Sequence, residues 1–287
     1  MPSVVNTNIM SINAQKSLAR TSSALNTAME RLSSGLRVNS AKDDAAGLAI
    51  ANRMNSQIRG MTVAQRNAND GISLAQVAEG SLSTITDTLQ RMRDLALQAA
   101  NDASVGNTDK QKLQLEFVQL QKELDRIIEN TTFNDRKVLG GSLSAGATFQ
   151  IGAGTDTTDT ITFSLANLGS AAGVTSVLAL ASTSGGAIGS GQSAGVITST
   201  IKIIDAALNK VDDTRAKLGA IQNRFTATIN NLANAIENQS AAKSRIMDAD
   251  FAKETANLSR AQILQQAGTA MLAQANVAPQ SVLGLLQ

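Results

Sequence analysis

The residues best placed to do chemistry lie in SSGLRVNSAKDDAAGLAI (33–50), where a glycine, a lysine and two adjacent aspartates interrupt a helical pattern. A phosphate-binding loop would need G-x-x-x-x-G-K-[ST], so that backbone N–H groups cradle the phosphates and the lysine reaches the terminal one. Counted from Gly35, the second glycine position holds Ser40 and the lysine position holds Ala41, so Lys42 arrives one place late. Paired carboxylates doing acid–base work must face each other across a substrate. Asp43 and Asp44, as neighbours on a helix, point about 100° apart. Ser40-x-x-Asp43 has instead the form of a capping box, and acidic residues in a first turn complement the helix dipole. Gly35 is expected to end one helix and Ser40 to start the next, which makes this stretch a joint.

Composition narrows the chemistry further. The chain has 287 residues, 43% hydrophobic but only 2% aromatic, with no Trp or Tyr. Such a palette suits long, closely packed helices. Histidine and cysteine are absent, which removes His- and Cys-based nucleophiles, zinc sites and disulfides. The reading is of a protein that is not an enzyme and needs no cofactor. A formal charge of +2 without blocks of like charge gives no footprint for nucleic acid. The N-terminus MPSVVNTNIMSINAQK lacks the basic and apolar regions of a cleaved signal peptide. Residues 261–287 carry no charged side chain, but six glutamines, Asn276 and Pro279 argue against membrane insertion and for burial by protein.

The elements that must position the joint are long helices. Apolar or small residues recur at Ile50, Met54, Ile58, Met61, Ala68, Ile72, Ala75, Ala78, Leu82, Ile85, Leu89 and Met92, with Gln65 the one break. The mean spacing of about 3.5 is that of a coiled-coil seam and predicts a helix from about 44 to 103. A second helix follows over 108–130, with Leu113, Phe117, Leu120, Leu124 and Ile127 on one face and Thr108 as its N-cap. Residues 140–200 then hold 12 of the 21 glycines. Ala147, Phe149 and Ile151 alternate with polar residues, as do Ile161, Phe163 and Leu165, which predicts a β-hairpin or small meander. Residues 166–194 lack a period and read as an exposed, tolerant insertion. The helical pattern returns after Gly195, from Ile197 through Ile236.

The expected fold is therefore mainly α: long antiparallel helices in a coiled-coil-like bundle formed by both chain termini, with the β-hairpin in a central insertion. Three regions follow: 1–43 with 245–287, 44–140 with 195–244, and 141–194. The terminal helices carry little apolar mass for their length, too little to offset the entropy of ordering them alone. They are expected to stay mobile until other copies of the chain surround them.

Several stretches resemble bacterial flagellins. LSSGLRVNSAKDDAAGLAIANRM (32–54), QRNANDGISLAQVAEGSL (65–82) and TDTLQRMRDLALQAAN (86–101) are similar to the family's N-terminal half. LGAIQNRF (218–225), SRIMDADFAKE (244–254) and LSRAQILQQAGTAMLAQAN (258–276) are similar to its C-terminal half. The resemblance implies an exported, extracellular subunit that polymerises with many copies of itself into the flagellar filament. The alternative within the family is a hook–filament junction protein. It also implies dealings with the flagellar export apparatus, an export chaperone and the filament cap. The terminal regions would line the filament core, with Leu25, Leu32, Leu264, Met271, Leu285 and Leu286 as assembly residues, and Gly35, Ser40 and Asp43 would form the spoke between inner and outer domains. Arg91, Leu95 and Glu116 match positions read by Toll-like receptor 5 in related flagellins, or contacted between subunits. The end VLGLLQ resembles the leucine-rich tail sensed by inflammasome receptors, with Gly284 and Gln287 where Ser and Arg are commoner.

Overall fold

The computed structural model describes residues 7–180 and 186–283. Its helices are α1 (Ile9–Ser34), α2 (Ala45–Ala99), α3 (Asn107–Asn130), α4 (Ala172–Ala179), α5 (Ala194–Met247) and α6 (Phe251–Leu283). Four short strands lie between α3 and α4: β1 (Thr132–Phe133), β2 (Arg136–Lys137), β3 (Ala147–Gln150) and β4 (Thr160–Phe163). The chain divides into two compact units, residues 1–58 with 237–287 and residues 59–236.

Residues 59–236 hold the main hydrophobic core. The stripe expected on α2 is buried at Leu82, Ile85, Leu89 and Met92, in one cluster with Phe117 and Leu124 of α3 and Ile204 and Val211 of α5. The predicted hairpin is present as β3 antiparallel to β4, with Ala147 opposite Phe163 and Phe149 opposite Ile161. Phe149 meets Phe225 of α5 edge to face, ring centroids 5.6 Å apart. At Gly71 of α2 an added Cβ would lie 2.6 Å from Phe225 Cζ, so this helical glycine is what lets the ring close on the backbone.

One element was not anticipated and two local expectations do not hold here. A second hairpin, β1 with β2, turns through Asn134 (φ 49) and Asp135 (φ 61), the positive-φ pair a two-residue turn requires; strands of two residues leave no alternation to read. The cap of α3 is the extended Gly106, not Thr108. The insertion is not simply exposed: Leu168, Val174, Val177 and Ile188 are buried in the main core. Side chains from α3 hold it there. Gln121 Nε2 donates to Val177 O at 2.6 Å, and Gln114 Oε1 accepts from Ile188 N–H at 2.8 Å.

In the other unit, α1 and α6 run antiparallel, shown by Asn8 Nδ2 donating to Ala275 O at 2.7 Å and Arg31 Nη1 to Glu254 Oε1 at 3.2 Å. Their seam keeps a strict heptad of alternating three- and four-residue steps. On α1 it is Ser11, Ala14, Leu18, Thr21, Leu25, Ala28 and Leu32, all buried or half-buried. On α6 it is Glu254, Leu258, Ala261, Gln265, Gly268, Leu272 and Ala275, likewise buried or half-buried. Within the described residues α1 and α6 are thus paired in one chain, the small residues of the seam letting the two backbones approach closely.

Candidate functional site

The joint after α1 is built from backbone hydrogen bonds. Gly35, at φ 72, caps α1 in the left-handed conformation and donates its N–H to Arg31 O; a Cβ is disfavoured there. Residues 35–37 are stitched to the turn between α5 and α6: Arg37 N–H donates to Met247 O at 2.6 Å and Ala249 N–H to Gly35 O at 2.9 Å. Asp43 and Ser40 come together, but not as a helix start. Asp43 Oδ2 accepts from the Ser40 N–H and Oγ–H, both at 2.9 Å, and from Asn39 N–H at 3.2 Å. Those bonds, the Ser40 hydroxyl first, hold the Asp43 carboxyl below its usual range. The N-cap of α2 is Asp44, whose Oδ1 accepts from Gly47 N–H at 2.8 Å. Both aspartates are therefore engaged by the local backbone, and α6 starts in the same way, with Asp250 Oδ1 accepting from Ala252 and Lys253 N–H.

The terminal helices divide the expected assembly residues in two. Leu25 and Leu32 lie on the seam and are half-buried within the chain. Leu264 (51% exposed) and Met271 (62% exposed) lie off the seam and face outward. Ile9, Met10, Ile12 and Met29 of α1 and Phe251, Ile263 and Val277 of α6 are exposed as well. Leu285 and Leu286, with Gly284 and Gln287, lie outside the described residues. Across the seam one charged pair is enclosed: Glu254, 6% exposed, takes Arg31 on Oε1 and Asn257 Nδ2 on Oε2, each at 3.2 Å. A buried carboxylate requires such partners. Reading large apolar residues alone misses this glutamate; seven-residue steps from Glu254 through Ala261, Gly268 and Ala275 reveal it.

Arg91 and Glu116 are brought together from α2 and α3, the Arg91 Nη2 to Glu116 Oε1 distance being 2.7 Å, with both side chains about half exposed. Leu95 does not share that surface. It is 1% exposed and belongs to the main core. Nearby, Arg93 Nε donates to Asp205 Oδ1 at 2.7 Å, and that bond raises the Arg93 pKa. Among the described residues no helix is long and apolar enough to cross a membrane.

A mainly helical chain whose two ends pair with each other and turn apolar side chains outward is a helical assembly subunit. Residues 5–144 match the bacterial flagellin N-terminal helical region and residues 201–286 the bacterial flagellin C-terminal helical region. The chain is 40% identical to Flagellin A of Vibrio cholerae serotype O1 over 377 aligned positions, spanning 99% of each chain. It is 38% identical to Flagellin A of Vibrio anguillarum over 381 positions, spanning 100% of each. A crystal structure of Bacillus cereus flagellin matches at 30% identity and a TM-score of 0.47, covering 58% of this chain and 88% of that one. The chain belongs to the flagellin family: it is a structural subunit of the extracellular flagellar filament, self-polymerising, and nothing in these matches favours a hook–filament junction protein.

Proposed function

We propose that the outward faces of α1 and α6 are the surfaces through which copies of this chain polymerise. The observation that carries the reading is the row of exposed apolar side chains, Met10, Ile12, Met29, Ile263, Leu264 and Met271. A monomeric soluble protein rarely leaves so much apolar surface uncovered, and a heterologous contact repeated without closure generates a helical filament. In this reading residues 1–43 with 245–287 line the filament core, with Leu25 and Leu32 holding the α1–α6 seam and Leu264, Met271, Leu285 and Leu286 packing on neighbouring copies. Residues 44–140 with 195–244 form the helical domain outside it, 141–194 lie outermost, and Gly35, Ser40 and Asp43 form the spoke. The thin seam also suits passage through the flagellar export apparatus, with an export chaperone covering the apolar faces until the subunit is inserted beneath the filament cap.

The role is mechanical rather than catalytic, since Asp43 and Asp44 are engaged by backbone N–H groups. Toll-like receptor 5 would read the monomer at the half-exposed Arg91–Glu116 pair, with Leu95 supporting that surface from beneath. The decisive experiment is seeded polymerisation of Leu264→Ser with Met271→Ser. Burial of each side chain contributes about 1.5–3 kcal/mol, so the critical concentration should rise by orders of magnitude while the monomer's melting temperature stays unchanged. An unchanged critical concentration would remove α6 from the assembly surface.

A further inference from the structure

We infer that the cavity between α1 and α6 containing Arg20, Arg31 and Arg260 is a socket for the Glu30 carboxylate of a second copy of this chain. The inference rests on the assembly reading above and names the polar contact that accompanies its apolar ones. The cavity has a volume of about 430 Å³, and three arginines and one glutamate contribute to its wall. Glu254 is taken up by Arg31 and Asn257, so it neutralises Arg31 alone. Arg20 has no ion pair or side-chain hydrogen bond among the described residues, and Arg260 has only a 3.4 Å hydrogen bond to Asn257 Oδ1. Two cations are left to share a half-enclosed space. An anion placed between them gains from both, in a setting less screened than open water.

The apolar surroundings select another copy of the chain as its source. Thr21 and Leu264 line this cavity and also the adjoining one of about 470 Å³, which contains Met10, Leu18 and Met271. A partner seated along both must offer a carboxylate beside apolar side chains, as a helix of the same kind does. Helices α1 and α6 contain one acidic residue each, Glu30 and Glu254. Glu254 is enclosed, which leaves Glu30. It is exposed, makes no ion pair among the described residues, and stands beside the exposed Met29. One position from Arg31, it points about 100° away from the cavity of its own chain and is free to enter that of a neighbour. Asp43, Asp44 and Asp250 are already held by backbone N–H groups, and Asp248 accepts from Ser244 Oγ.

A double-mutant cycle on the full chain tests this, with the critical concentration for seeded polymerisation as readout. Glu30→Gln and Arg260→Gln should each raise it about tenfold or more, as expected for a close intermolecular charge pair. The double variant should be no worse than the worse single one, and Arg260→Lys should keep most of the wild-type behaviour. Far-ultraviolet circular dichroism of the monomers should be the same for all. Independent effects that multiply in the double variant, a silent Glu30→Gln, or an equal effect from Glu237→Gln would each overturn the socket. So would a free anion as occupant, seen as polymerisation of Glu30→Gln at the wild-type critical concentration, lowered by inorganic phosphate at constant ionic strength. Leu264→Ser with Met271→Ser separates the two readings. If that pair blocks assembly and the charge variants do not, the socket fails alone; if neither acts, the assembly surface fails with it.

Discussion

Residues 59–236 and the paired ends are both helical, yet they solve burial in opposite ways. The first unit encloses large side chains, Phe117, Leu89, Met92, Leu124 and Phe163, in one cluster. The second fully buries alanines, a serine and a glutamate along α1 and α6, half-buries its seam leucines, and leaves Met10, Ile12, Met29, Ile263, Leu264 and Met271 outside. Hydrophobic stabilisation scales with apolar area removed from water, so the first unit is complete in one chain and the second is not. On the proposed reading, the second is completed by other copies of the chain.

Single substitutions should exaggerate that contrast. Phe117→Ala, which empties a fully buried site, should cost about 3–5 kcal/mol of unfolding free energy, read from the urea midpoint of the monomer. Leu264→Ala should change the same midpoint by less than about 0.5 kcal/mol, because that leucine already faces solvent; a loss as large as that of Phe117→Ala would erase the distinction. Val177→Ala, in the insertion, should destabilise the monomer by about 2 kcal/mol. A neutral result would restore the insertion as a dispensable loop. Arg91→Ala breaks a half-exposed ion pair and should cost the monomer under about 1 kcal/mol, while lowering Toll-like receptor 5 signalling in a reporter assay. The smallest effect concerns pH. Because the Asp43 pKa is lowered in the fold, its contribution to the joint is present above the ordinary aspartate value and is lost as pH falls through the lowered one. Amide exchange at Asn39 and Ser40 should therefore be faster in Asp43→Ala than in wild type near neutrality and should converge on it in acid.

The long helices were readable because large apolar residues mark them. Leu82, Ile85, Leu89 and Met92 fall at coiled-coil spacing and all are buried, and Phe149 and Ile161 alternate with polar residues where the hairpin pairs. The pairing of α1 with α6 was expected from the layout of the chain, and leucines mark part of its seam, but its tightest positions were not readable that way. Beside the half-buried Leu18, Leu25, Leu32, Leu258 and Leu272, the seam holds Ser11, Ala28, Ala261, Gly268 and Ala275, residues whose size rather than hydrophobicity sets the approach of the helices. Ser40 and Asp43 did form a local hydrogen-bonded unit, but a turn closed on itself first and passed the capping role to Asp44. In the insertion, Val174 and Val177 lie on a helix of eight residues among glycines and serines, too short to establish a period.

The most direct test is hydrogen exchange measured by mass spectrometry on the dilute monomer and on the polymerised filament. In the monomer, peptides from α1 and α6 should exchange orders of magnitude faster than those from residues 74–99 and α3, since thinly buried segments open at low free energy. In the filament the protection of α1 and α6 should rise to match, with residues 74–99 and α3 little changed. Equal protection of both units in the monomer, with no gain at α1 and α6 on polymerisation, would contradict the claim that the paired ends are completed by neighbouring copies.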